Sequence, residues 1–230
     1  MSFDLAGLIQ MIALAAIPVI FAITLHEAAH GYVARHFGDY TAHNDGRISL
    51  NPLRHIDPVG TIAVPLLILV TSKLLGGSGI LFGWAKPVPV NFGQLRHPKR
   101  DMLWVAAAGP GANLVMACLW ALIYKLADQV PFEFFSVPLK AMAIGTGQFA
   151  GGIGINVILM VLNLFPLPPL DGGRIAVSLL PGKAAWRFAR IEPYGFIILL
   201  MLLFSGVLGS ILLPLVRVVL GAIFRVFDLA

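Results

Sequence analysis

Five stretches of the chain are apolar for long enough to approach or exceed the roughly 20 residues that a helix needs to cross a bilayer: residues 5–25, 59–75, 102–126, 141–165 and 196–222. The first is predicted to continue as one helix from Leu5 to about His36, kinked at Pro18 and stopped near Gly38. Between 39 and 57 the pattern turns polar, and Arg47-Ile48-Ser49-Leu50 alternates as a short strand would before Asn51-Pro52 ends it. The stretch 59–75 carries Gly60 and Pro65 and runs into Gly76-Gly77-Ser78-Gly79, a break in any helix. The prolines of Gly83-Trp84-Ala85-Lys86-Pro87-Val88-Pro89-Val90-Asn91 exclude helix and favour extended backbone. Such backbone cannot face lipid with its polar groups unpaired, so it packs against protein, lines a cavity or lies outside the bilayer.

Beyond this, 102–126 is predicted as a helix with Gly109-Pro110-Gly111 in its first half, and 128–138 as a connecting loop. Residues 141–165 are predicted as one span, with Gly145, Gly147, Gly151, Gly152 and Gly154 permitting close packing. A short helix is expected over 174–180, then a basic stretch at Lys183, Arg187 and Arg190, then a hydrophobic region that Gly206 and Gly209 divide in two. The fold class expected is an all-α polytopic membrane protein. About five to six transmembrane helices form a bundle with short re-entrant, β-like loop segments, in a single domain over 1–230.

Composition agrees: 58% hydrophobic and 12% charged residues among 230, with a mean hydropathy of +0.88, leave too little polar surface to cover a soluble globule. The net charge of +5 does not indicate nucleic acid, because the basic residues are scattered in short segments with no stacking aromatics between them. They fit cytoplasmic loops instead. Cys118 is the single cysteine, which excludes a disulfide framework and a cysteine zinc site. Residues 1–5 contain Asp4 and no basic residue, unlike a cleaved signal peptide, so the segment is expected to stay.

Within the first helix lies His26-Glu27-Ala28-Ala29-His30. Residues four apart share a helix face, so both imidazoles can bind one zinc while Glu27 reaches the water beside it. Ionisable groups at bilayer depth are costly and those retained face a cavity or a partner. A catalytic zinc takes three protein ligands and leaves a position open. The third is to be found among His36, His43, His55, His97 and the acids. Asp171 is best placed, since it ends an apolar span, is followed by two glycines and is preceded by prolines that fix its backbone. The four other histidines read as solvated loop residues, and Asp45, Asp57 and Asp101 as turn or helix-cap residues.

These elements together resemble the site-2 protease family of intramembrane metalloproteases. The likeness rests on the H-E-x-x-H helix and on Asn163-Leu164-Phe165-Pro166-Leu167-Pro168-Pro169-Leu170-Asp171-Gly172, similar to the family's N-x-x-P-x-P-x-x-D-G element. It rests also on Ala108-Gly109-Pro110-Gly111-Ala112-Asn113, similar to A-G-P-x-x-N, and on the G-x-A-K-P-V-P-V-N loop. The resemblance implies one Zn²⁺ per chain held by His26, His30 and Asp171, with Glu27 and Asn163 catalytic. In it Asn163 holds substrate or stabilises the oxyanion, and the 83–91 loop offers an edge to a substrate strand. Read from the residues alone, Asn163 fits equally as a helix-packing hydrogen bonder, and Asn113 as part of a helix kink. The chain has no room for the peptide-binding (PDZ) or nucleotide-binding (CBS) modules of some relatives.

Parity constrains the path. If all five spans crossed once, His30 and Asp171 would lie at opposite faces, so 59–91 is expected to make a round trip. That arrangement gathers Arg35, Arg47, Arg54, Arg96, Lys99, Arg100, Arg174, Lys183, Arg187 and Arg190 on one face, which the positive-inside rule makes cytoplasmic. The expected partners are the lipid bilayer and a transmembrane protein or peptide substrate. The expected location is a prokaryotic cell membrane, with the active site towards the cytoplasm. The alternative is a membrane metal-ion transporter using intramembrane His and Asp as a transit site; it leaves Glu27 unexplained, and the sequence shows no paired repeats.

Overall fold

A computed structural model describes residues 5–64, 66–67, 70, 83, 85–145 and 151–229, with side chains placed from Ala13 onward. The first helix, α1, spans Leu5–His36 with Pro18 inside it. It stops where expected: Gly38 takes φ +105°, and the amides of Gly38 and Asp39 return to the carbonyls of Arg35 and Ala34 at 3.1 and 3.0 Å. A single turn, α2 (Thr41–Asn44), follows, then a 3₁₀ turn at Pro52–Arg54 and a π turn at Pro58–Ala63. Asn51 and Asp57 cap these turns by accepting main-chain N–H groups.

Pro98–Ala127 forms α3, whose first turn is closed by Asp101 accepting from the His97 amide at 2.7 Å. Asp57 and Asp101 therefore act as the caps the sequence suggested. Glu133–Ile144 is α4 and Gly152–Asn163 is α5. The single span expected over 141–165 is thus two helices, interrupted at Gly145, which has φ +72°. The loop expected over 128–138 is helical from Glu133 onward. Then come α6 (Asp171–Leu179), α7 (Gly182–Ala189), α8 (Glu192–Phe204) and α9 (Val207–Phe227). Gly206 separates the last two at φ +77°, whereas Gly209 lies inside α9.

Among the described residues there is no strand. Arg47–Leu50 was expected to be one, and proline explains why it forms no ladder: Pro87 and Pro89 opposite have no N–H to give. The Arg47 guanidinium instead donates to the carbonyls of Lys86 and Pro87, at 3.0 and 3.2 Å. About half of the round trip expected of 59–91, including all of 71–82, lies outside the described residues.

Among the described residues three helices are long and apolar enough to cross a membrane: the part of α1 from Ala13 to His36, α3 and α9. Two shorter apolar helices, α5 and α8, accompany them. The chain is a helical membrane protein, and large side chains such as Val218 and Phe204 on its outer faces suit a lipid surround. At the centre α3 packs against α1, α4, α5 and α6, and α1 also touches α5. The seams are made of small residues, including Ala22, Ala106, Ala117, Ala121 and Gly152, which let backbones approach closely.

The two ends of the polar layer are tied together. The Arg96 amide donates to Phe37 O at 2.9 Å, and Lys99 Nζ donates to Leu180 O, so the end of α1, the start of α3 and the end of α6 share one end of the bundle.

The seam between α3 and α5 gives a direct test. A Cβ at Gly152 would lie 2.6 Å from Trp120 Cδ1, whereas one at Gly209 meets nothing within 4 Å. Gly152→Ala is expected to lower stability by about 1–3 kcal/mol, as overpacking does, while Gly209→Ala is neutral or stabilising by up to about 1 kcal/mol. Thermal unfolding of both variants in detergent micelles reads the difference.

Candidate metal centre

Two helices face each other at four-residue spacing, and a third adds one side chain. On α1 the series is Ala22, His26, His30; on α3 it is Val105, Gly109, Asn113; and α6 contributes Asp171 in its first turn. His26 Nε2 and His30 Nε2 are 3.1 Å apart, and Asp171 Oδ2 lies 3.2 and 3.3 Å from them. A tetrahedral zinc with ligands at about 2.0–2.1 Å sets them about 3.3–3.4 Å from one another. The triangle therefore has the size of one face of such a site.

With both imidazoles neutral, shared protons do not explain the convergence. His30 Nδ1 lies 2.7 Å from the Val105 carbonyl oxygen, an acceptor only, so that nitrogen carries the hydrogen and Nε2 of the neutral ring is a bare lone pair. His26 Nδ1 faces Asn113 Oδ1 at 2.6 Å, which gives the same result for His26. Asp171 Oδ2 is buried, and no N–H points at it in hydrogen-bonding geometry. Three lone-pair atoms, two of them on residues no more than 9% exposed, thus point at one another. A divalent cation fits that arrangement.

Local sequence makes room for it. A Cβ on Gly109 would sit 2.6 Å from His26 Nε2 and closer still to His30 Nε2, so only glycine leaves the space between α3 and the imidazoles open. Gly172 and Gly173 press against the backbone of Leu164 and Pro168, and Gly195 of α8 against the Pro168 carbonyl. These three glycines seat the first turn of α6 on the proline turn and so aim Asp171 at α1.

Glu27 lies beside the triad in a cleft of about 170 Å³, whose walls include Pro87, Val90, Asn163 and Arg174. Glu27 Oε2 accepts the Val88 amide at 2.8 Å, and Oε1 has no hydrogen bond among the described residues. The segment carrying Val88 is itself tied down. The Lys86 amide donates to His55 O at 3.0 Å, Arg47 takes two carbonyls, and the Asn91 amide donates to Asp39 Oδ2 at 2.7 Å. Cation–π contact with Phe92 at 4.9 Å and an ion pair with Glu192 at 3.7 Å hold Arg174 at the rim.

His26, Glu27, His30, Asn163 and Asp171 all reach this one cleft. Asn163 donates one amide hydrogen back to Leu159 O of its own helix at 2.9 Å. His36, His43 and His97 are exposed, as loop residues were expected to be, but His55 is only 1% exposed and bonds Ser49 O through Nε2 at 2.7 Å. Burial against the 85–91 segment, rather than metal, accounts for it. Asn113 departs most from its reading as a kink residue, because it is fully buried and hydrogen-bonded to His26. Its spacing of four from Gly109 was the available signal.

Among proteins of known description, the chain is 38% identical over 213 residues to "Putative zinc metalloprotease YwhC" of Bacillus subtilis, covering 92% of this chain and 90% of that one. It is 31% identical over 191 residues to "Putative zinc metalloprotease Rip2" of Mycolicibacterium smegmatis, covering 83% of this chain and 66% of that protein. The Rip2 of Mycobacterium tuberculosis is 26% identical over 211 residues, with 92% and 71% covered. No protein-family model matches the chain, and no solved structure does. The extent of the first match, with the H-E-x-x-H helix and the N-x-x-P-x-P-x-x-D-G turn brought to one cleft, identifies the chain as a member of the site-2 protease family of zinc metalloproteases.

Proposed function

We propose that this protein hydrolyses peptide bonds of transmembrane proteins within or at the edge of the bilayer, as an H-E-x-x-H endopeptidase acting in regulated intramembrane proteolysis. The observation that carries the reading is the meeting of His26 Nε2, His30 Nε2 and Asp171 Oδ2, with no proton to share, beside Glu27 on a membrane helix. His26, His30 and Asp171 hold one zinc per chain. Zinc at such a site supplies Lewis acidity, polarising the scissile carbonyl and bringing the pKa of water towards neutrality.

The chain's own groups do the rest. Glu27 is fixed through Oε2 by the Val88 amide, so Oε1 is the atom that takes the proton from the attacking water and later returns it to the leaving amine. Asn163 keeps one amide hydrogen beyond that given to Leu159, and that hydrogen serves the substrate carbonyl as it gains negative charge. A helical substrate hides its peptide bonds and must unwind to be cut. Pairing it with the non-helical 85–91 segment beside Glu27 satisfies the backbone groups it exposes. A transit site for metal ions would need ligands but no base. The basic residues at the end of the bundle that carries Arg96 and Lys99 support an orientation in which the cleft faces the cytoplasm of a prokaryotic cell membrane.

Three variants separate the roles when purified protein is assayed for bound metal and for cleavage of a transmembrane peptide. Glu27→Gln is expected to keep zinc and to lose cleavage by at least about 10²-fold, the scale of general-base catalysis; continued proteolysis refutes the role of Glu27. Asp171→Ala is expected to lose zinc and activity together. Gly109→Ala, far from any ligand atom in sequence, is expected to lose zinc as well, since its methyl group would occupy the space between the imidazoles. Full metal content in that variant contradicts the geometry.

A further inference from the structure

Behind His26 a second polar chain runs away from the cleft through the centre of the bundle. Asn113 Oδ1 meets His26 Nδ1 at 2.6 Å, and Asn113 Nδ2 donates to Ala22 O at 3.3 Å and to Asn156 Oδ1 at 3.0 Å. Asn156 Nδ2 donates in turn to Gly152 O at 2.8 Å. Both asparagines are 0% exposed, and they link α1, α3 and α5.

The direction of this chain is set by backbone. A carbonyl oxygen only accepts, so Asn156 must turn its NH₂ towards Gly152 O and its Oδ1 towards α3. Asn113 then faces two acceptors, Ala22 O and Asn156 Oδ1, and must offer both of them N–H. Turning either amide over would set oxygen against oxygen in a site closed to solvent. Only Asn113 Oδ1 is left for His26, so Nδ1 of that ring must be the protonated nitrogen and Nε2 the bare one. The two histidines differ here: His30 is fixed by a main-chain carbonyl, whereas His26 is fixed by the side chain of Asn113, which is itself held by the Ala22 carbonyl and, at the shorter distance, by Asn156 on α5.

We propose that Asn156 is a positioning residue for the metal site: acting only through Asn113, it fixes the tautomer and orientation of His26 and so strengthens zinc binding. The inference rests on the metal reading given above. A helix-packing role for the same two amides would affect stability alike with and without zinc; the relay affects zinc affinity itself. Partners of a ligating histidine beyond the ligands are worth about 10–100-fold in metal affinity.

The test is a competition titration of the full-length chain in micelles, with zinc and a chromophoric chelator. Asn156→Leu is expected to bind zinc about 10-fold more weakly, the low end of that range, because the Ala22 carbonyl still holds Asn113. Asn156→Asp is expected to stay within about threefold of wild type, because a buried carboxyl kept protonated still donates to Gly152 O and accepts from Asn113. The double variant Asn113→Leu/Asn156→Leu is expected to be no weaker than Asn113→Leu alone. Wild-type affinity in Asn156→Leu, or a double variant that loses the product of the two single effects, overturns the relay. Nitrogen-15 NMR of the zinc-free wild type keeps the proposal falsifiable even if Asn156→Leu does not fold: His26 must hold its hydrogen on Nδ1 before any metal binds, and an Nε2–H there overturns the proposal. A wild-type chain that binds no zinc removes the metal reading and the relay with it, whereas zinc binding unchanged in Asn156→Leu removes the relay alone.

Discussion

Three proton acceptors that face one another at about 3 Å repel unless something positive lies between them, and the architecture of this protein is arranged around that requirement. Each imidazole has its hydrogen committed on the far side, His30 to the Val105 carbonyl and His26 to Asn113, so neither can neutralise Asp171 by a simple hydrogen bond. In lipid the constraint is sharper than in water, because an uncompensated carboxylate beside hydrocarbon is expensive. A cation resolves the conflict for all three groups at once.

Keeping that space open is the task of residues with no side chain. Gly109 leaves the α3 side of the triad empty, and the packing of Gly172, Gly173 and Gly195 around the proline turn brings α6 close enough for Asp171 to reach α1. The same glycine and alanine seams that let helices pack tightly without a hydrophobic driving force in the bilayer also set the position of the ligands to within the tolerance of a coordination bond. Glu27 is held by different means. Its partner is the Val88 amide, in a segment where prolines on either side remove the competing donors and where Arg47, Asp39 and His55 anchor the backbone.

Much of this was legible in the sequence, and the limits are physical. The end of α1 followed from a glycine placed just after the last helical residues, and both histidines followed from helical spacing. Asp171 was found because a carboxylate at the end of an apolar run needs a reason to be there. The division of 141–165 was missed since glycines that allow close packing look the same as a glycine that turns the chain, and only φ at Gly145 tells them apart. The strand at 47–50 was read from alternation, which says nothing about whether a partner can donate; the prolines opposite cannot. Asn113 and Asn156 were invisible as a pair because they lie 43 residues apart and meet only once α3 and α5 pack.

The sharing of one ion by His26, His30 and Asp171 can be read directly by zinc K-edge X-ray absorption of the purified chain. The account requires a four-coordinate zinc with nitrogen and oxygen neighbours at about 2.0–2.1 Å, two of them with the multiple-scattering pattern of imidazole. A sulfur neighbour at about 2.3 Å, which only Cys118 or a methionine could supply, or zinc surrounded by oxygen without imidazole, would contradict it.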